Sequence, residues 1–520
     1  MNCILEAVRA TSRAAAAMPA EALRHTLLSF LERCRQPALL EPGQPPLVFD
    51  AASYRLSVRP NGLLFEAWDQ ERSWARRLVS VSDVASGRLQ LQAERLDGTR
   101  LKFELADLGG LAAAPLMQRS LREELREQFR FWLIRQYSGW QIAELSSGAD
   151  LEHTLSPAYP RALLVLGGRR VAAIAAPSGP ERAGSLLTFG LIWLDYLRRR
   201  EAPRPVEELA LFLPLGTQHQ TLLRLKWLDA RQAAFSVFVY DDESHETRLD
   251  TADRGNIRSH VEPWSSGPPL ELKLHSELLS ALSRIEGFAA VDQGLGSKAL
   301  RIHGLGFARL EVPNVFLGIG RERRVADLAP LLEVAHNLAR LRSAGAVDRL
   351  HPYYKRNPEA WIESLARASI HLLDPALYPA PIYGQVPAMA GTLHGLLDLL
   401  ALDRQGRLAV IEMKAAEDPD LPLQALDYWI RVDWHARHGD FSANGYFPGL
   451  TVDARPPRLL LVAPALHFHP ATETVLRFFA PSIDVERLGV GMEWRKRFEV
   501  VSRIRGAERP GMKFTPGAGR

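Results

Sequence analysis

Apolar residues follow two different periods along this chain, and the places where the period changes divide it. From Leu47 to Leu108 they recur at alternate positions in short runs, LVFD, YRLSV, GLLFEAW, RLVSVS, RLQLQAERL and TRLKFELA. Turn formers such as Pro60-Asn61-Gly62 and Asp97-Gly98 separate the runs. A period of two broken by such turns predicts a small antiparallel roll or barrel. Before it, Ala- and Leu-rich segments interrupted at Pro19 read as helix. After it, a helix over Leu116–Gln136 leads to a short strand near Trp140–Leu145. Then come the paired strands RALLVLGGRRVAAIAAP, the helix SLLTFGLIWLDYLRRR, the strand ELALFLP, the helix TQHQTLLRLKWLD and the strand AFSVFVY.

That order returns near the C-terminus. The helix PEAWIESLARASIHLL precedes a strand at YGQVPAMAG and a hairpin, DLLALDRQGRLAVIEMK. The helix LQALDYWIRVDWHAR, the strand RLLLVAP, the helix PATETVLRFFA and the strand IDVERLGVG follow. The repetition predicts an internal duplication of one α/β unit. Setting AIAAP against VIEMK puts Ala175, Ala176 and Pro177 where the later copy has charged residues. Between the copies, Pro263 to Pro269 reads as a linker, and the next residues as a small α+β spacer ending in a helix from Val325 to Ser343. Gly304, Gly306, Gly318 and Gly320 read as turns, because no lysine-bearing helix start follows them. The expected organisation is a helical segment at 1–45, a β-rich roll at 46–112, a first α/β unit at 113–250, the spacer at 270–345, a second α/β unit at 350–505 and a basic flexible tail at 506–520.

Composition narrows the class without fixing a function. The 520 residues are 47% hydrophobic and 24% charged, with a formal net charge of +4, which fits a soluble multi-domain protein and permits nucleic acid as a partner. Two cysteines, Cys3 and Cys34, leave no disulfide framework and no four-cysteine zinc or iron–sulfur site. No apolar run is long enough to span a membrane, and Glu6, Arg9 and Arg13 interrupt the start, so a cytoplasmic location is expected. The end is basic, with Arg495, Lys496, Arg497, Arg503, Arg505, Arg509, Lys513 and Arg520 against Glu499 and Glu508. His467 and His469 have no evident third ligand and read as structural or surface residues.

Candidate chemistry concentrates in the C-terminal hairpin. Asp398 lies in its first strand, and Glu412 and Lys414 end its second on one face, with Met413 on the other. Charges ending an apolar strand are costly unless they are paired or bind something. A divalent cation would satisfy them. Gln424 and Tyr428 are four apart on the next helix and share a face that continues through Arg431 and His435, a polar stripe suited to a substrate backbone.

The order Gly395-x-x-Asp398, then Glu412-x-Lys414, then Gln424-x-x-x-Tyr428, resembles the RecB-type branch of the PD-(D/E)xK nuclease superfamily over about residues 350–500. The resemblance implies a restriction-endonuclease-like α/β/α core at 350–505, with 113–250 a degenerate nuclease-like copy. It implies a DNA nuclease dependent on Mg²⁺ or Mn²⁺, with RNA as the other candidate substrate. Asp398, Glu412, the Met413 carbonyl and a glutamate of the preceding helix would hold the metal. Glu363 is favoured for that glutamate over Glu359. Lys414 would orient or deprotonate the attacking water or stabilise developing charge, with Gln424 and Tyr428 completing the catalytic set. A homodimer, or partner proteins of a repair or defence system, would fit the same resemblance. The competing reading is a non-catalytic nucleic-acid-binding or scaffold protein that keeps the fold. The iron–sulfur subgroup is excluded by the cysteine count, and a fused helicase motor by the lack of a P-loop.

Overall fold

The protein is a mixed α/β, multi-domain molecule with a β-rich N-terminus, and its described residues form four sheets. The computed structural model describes residues 19–508 apart from 35, 41–46, 51, 60–61, 70–72, 86–87, 95–99, 108–113, 203, 242, 244, 256, 258, 262, 265–272, 293–296, 312–313, 319–322, 326–327 and 385–398. Gly395 and Asp398, most of the strand expected over 383–391 and the last dozen residues of the tail therefore lie outside the described residues.

Seven antiparallel strands form the N-terminal sheet, which includes Pro37–Leu40 paired with Arg100–Asp107. The alternating apolar residues Leu56, Phe65, Leu91 and Phe103 bury one face of it around the helix Ala20–Leu31, through Leu23, Leu27 and Phe30. Helix and strands thus share one core, and the first strand falls inside the segment expected to be helical. The spacer is a five-stranded antiparallel sheet backed by the helices Lys273–Leu282 and Ala329–Leu341. Val325 ends its last strand rather than opening the second of these helices.

The two α/β units have the same topology. In the first, strands Gln141–Ser146, Arg161–Leu166, Arg169–Ala175, Glu208–Pro214, Ala234–Tyr240 and Glu246–Leu249 are neighbours in that order. In the second, Tyr383–Gly384, Leu399–Leu402, Leu408–Met413, Arg458–Pro464, Asp484–Val490 and Val500–Arg505 are neighbours in that order. Both run antiparallel, antiparallel, parallel, parallel, antiparallel. The central strands are buried on both faces. That explains their continuous apolar runs.

Each sheet has one private face and one shared face. The helix Ala114–Gln136 covers the outer face of the first sheet through Phe129, Trp132 and Leu133. Helix Pro358–Ala368 does so for the second, through Trp361, Ile362 and Ala366. The crossover helices Pro180–Arg200 and Gln218–Leu225 of the first unit and Leu421–His438 and Ala471–Arg477 of the second pack together in a single core between the sheets. Pro180–Arg200 meets Ala471–Arg477, and Leu421–His438 meets Gln218–Leu225, so each unit offers corresponding helices to the other. Leu228 and Phe479 form an antiparallel bridge at the centre of this contact, where Asp229 N–H donates to Phe478 O and Ala480 N–H to Trp227 O, both at 2.7 Å.

The two faces fix the correspondence between the units. Val171, Ala173 and Ala175 face the outer helix of the first, as Ala409, Ile411 and Met413 face that of the second. Ala176 N–H donates to Phe212 O as Lys414 N–H donates to Val462 O, each at 2.9 Å. Ile174, Ala175 and Ala176 therefore correspond to Glu412, Met413 and Lys414. The register read from the sequence, which used Ala175, Ala176 and Pro177, is corrected by one residue. A one-residue slip exchanges the two faces, and in a strand buried on both faces the sequence pattern does not reveal the slip.

Candidate functional site

The hairpin Leu399–Leu402 and Leu408–Met413 turns at Asp403, whose carboxylate Oδ1 accepts from the Gln405 and Arg407 N–H groups at 2.8 and 2.9 Å. Its second strand is wholly buried, and Glu412 is 4% exposed within it. Leu408 and Val410 precede Glu412 on the face toward the helix Leu421–His438, so alternation turns Glu412 toward that helix. The described pairing of the hairpin stops at Leu399 opposite Ile411, one residue before Asp398 and Glu412.

Lys414 follows at the carboxyl ends of the parallel strands, where ligand crevices form in open α/β sheets. Its Nζ is 3.3 Å from Asp418 Oδ2 and 4.0 Å from Glu359 Oε1. Gln424, one turn into the helix, donates from Nε2 to the same Asp418 oxygen at 3.4 Å. Gln424 Oε1 is buried and has no hydrogen-bond partner among the described residues. Asp418 thus joins the lysine to the glutamine. Nothing in the residue pattern singled it out, because it lies in the loop between the two motifs. His467 Nδ1 lies 2.9 Å from Ala415 O and holds the start of this loop, while His469 Nδ1 accepts from Ala471 N–H at 3.0 Å, so both histidines do structural work.

Asp420 ends the loop. Ser185 of the first unit donates to its Oδ2 at 2.6 Å, and its own N–H donates to Asp418 Oδ1 at 2.8 Å. Burial, reinforced by the nearby Asp418, pushes its carboxyl up to about 6.

The two glutamates of the preceding helix part company. Asn357, with φ +40°, caps this helix by accepting from Ala360 N–H at 3.0 Å. Glu359, in its first turn, reaches Lys414, whereas Glu363 lies one turn deeper, 2.7 Å from Arg367 and 4.0 Å from Arg301. The structure places the expected glutamate, Glu363, in an arginine cluster and its competitor at the lysine. Met413 turns its side chain into the outer core.

The polar stripe of the following helix is corrected. Gln424, Tyr428 and His435 are all buried, and Arg431 donates back to Asp427 O at 2.8 Å. The stripe faces the core shared with the first unit rather than solvent, because this helix is packed on nearly every side. His435 Nδ1–H donates to Asp440 Oδ2 at 2.6 Å, which leaves Nε2 to accept from Ser259 Oγ at 2.8 Å. Ser259 belongs to the segment leaving the first unit, and Trp264 further along it packs on Tyr383 and Tyr446 at 4.7 and 5.7 Å. His435 therefore pins this strap. The N-terminal sheet also reaches the region. Arg76 is buried beside Trp74, and that burial lowers its guanidinium to about 9 against a smaller opposing influence of Tyr428.

Around Lys414, Asp418, Glu359 and the Gln424 amide offer oxygen donors, the kind that suits a hard divalent cation rather than zinc. Among the described residues no three His, Cys, Asp or Glu side chains assemble as a metal-ligand group. No described helix is long and apolar enough to cross a membrane.

No protein-family model matches the chain, and no curated protein or solved structure matches it either.

Proposed function

We propose that the protein is a Mg²⁺- or Mn²⁺-dependent nuclease acting on DNA, with its chemistry in the second α/β unit. The observation that carries this reading is the asymmetry of the repeat. The second unit keeps a buried Glu412 and, two residues on, Lys414 bound to Asp418 and through it to Gln424, while the first has Ile174 and Ala176 at the positions of Glu412 and Lys414. Keeping charges at the end of an apolar strand is costly, so their presence in one copy alone supports a chemical role.

Asp398 and Glu412 would hold the cation. Asp398 adjoins Leu399 and Glu412 adjoins Ile411, so one further step of the antiparallel register would set the two carboxylates side by side. The bound cation supplies charge neutralisation and a more acidic water. The Lys414 ammonium, flanked by Asp418 and Glu359, suits stabilisation of charge on a phosphate oxygen rather than proton abstraction. The open Gln424 Oε1 can accept from the attacking water. On this reading Glu359 replaces Glu363 as the helix carboxylate at the site.

Incubating the purified protein with linear, circular and single-stranded DNA, and with RNA, in Mg²⁺ or Mn²⁺ tests the proposal. Cleavage that falls by roughly 10²–10³-fold in Lys414→Ala is expected. Binding without cleavage would instead favour the non-catalytic reading, and cleavage unchanged in Lys414→Ala would remove this site from the reaction.

A further inference from the structure

The two α/β units meet as two subunits of a symmetric dimer would. Corresponding helices exchange places across the contact, and the Leu228–Phe479 bridge lies at its centre with one backbone bond running each way. A two-fold interface of this kind is self-complementary. Here both halves of it belong to one chain.

The two ends of the contact are not chemically equal. The first unit donates side chains to the second unit's site helix: Arg224 grips Asp427 with Nε and Nη2 at 2.8 and 2.7 Å, Gln220 donates to the same carboxylate, and Ser185 holds Asp420. At the first unit's own strand end, the residues standing for Glu412 and Lys414 are the uncharged Ile174 and Ala176. Ile174 is 1% exposed, and the residue opposite it, Arg161, donates to Gly148 O at 2.7 Å and lies against Trp193.

Resting on the nuclease reading, we infer that the first unit is a built-in, non-cutting partner, so that the protein acts as a monomer and severs one strand of a duplex per encounter. The face by which a second copy would join the second unit is already covered by the first. One equipped site performs one hydrolysis: the water oxygen bonds to phosphorus, one phosphorus–oxygen ester bond breaks, and the water proton ends on the departing alcohol. The opposite strand stays intact until a separate encounter.

A supercoiled circular duplex with Mg²⁺ distinguishes the outcomes. Nicked circles should accumulate well before linear molecules, at a rate first order in protein, and sedimentation equilibrium should give the 58.0 kDa of one chain. Linear product without a nicked precursor, or the mass of two chains in the active species, overturns the inference while leaving the nuclease reading standing. If no DNA is cut, single-stranded substrate included, the nuclease reading fails and takes this inference with it.

Discussion

The Ser185 hydroxyl ties Asp420 to the opposite unit, and the charge it meets there varies with pH. Its folded carboxyl titrates at about 6, above the ordinary 3.8, because burial and the neighbouring Asp418 disfavour the anion. With the folded value raised, the contribution of Asp420 to stability is fully present below pH 3.8 and is lost as pH rises through about 6. Asp420→Asn keeps an acceptor for Ser185 and removes the titration. Comparing urea midpoints of wild type and Asp420→Asn across pH 4–7 should show the variant gaining relative stability as pH rises. Parallel curves would mean that Asp420 ionises without cost. Glu412 and Lys414 were legible in the sequence because charges that interrupt an apolar strand stand out. Asp418 and Asp420 were not, because acidic residues in a polar loop look like ordinary solvated surface. Glu359 and Glu363, one turn apart, are equivalent in a helical pattern, and only the position of the helix end over the sheet separates them.

At the scale of elements, the helix Leu421–His438 carries most of what the sequence pattern misjudged. Its polar positions suggested an amphipathic helix with a substrate-facing stripe, yet Leu421 to Ile430 is buried without a break. Asp427, Asp433 and His435 are tolerated inside because Arg224, Arg437, Ser259 and Asp440 pair with them. Two of those partners, Arg224 and Ser259, come from about 180–200 residues earlier, beyond the reach of any local pattern. Removing one side of a buried ion pair leaves an uncompensated charge. Arg224→Met should therefore cost about 3–5 kcal/mol in urea denaturation, and Arg224→Met with Asp427→Leu should recover most of it. A loss below about 1 kcal/mol in the single variant would show that the pair contributes little to holding the units together.

The repeated order of elements was readable along the chain because each α/β unit announces itself by a hairpin, a helix and two strongly apolar strands. How the copies associate was not, since the surfaces that join them look like the ordinary core-facing sides of helices. The shared core makes a definite demand on the whole molecule. Trp429 packs edge-on against Trp227 at 4.6 Å, and Leu426, Ile430, Val475 and Phe479 belong to the same buried cluster as Leu187, Leu191 and Leu222. Cutting the chain between the units would expose this apolar face to water at about 25 cal/mol for each Å² uncovered, and an exposed patch of that kind drives association. Residues 346–508 produced alone should therefore self-associate in sedimentation or bind a hydrophobic dye, whereas a chain from residue 114 to 508 should remain monodisperse. The intact protein should unfold both α/β units in one calorimetric transition, because neither can open without uncovering the other. A monomeric 346–508 fragment melting at the temperature of the full protein would show that the second unit stands alone, and that the first could be lost without harm to the site.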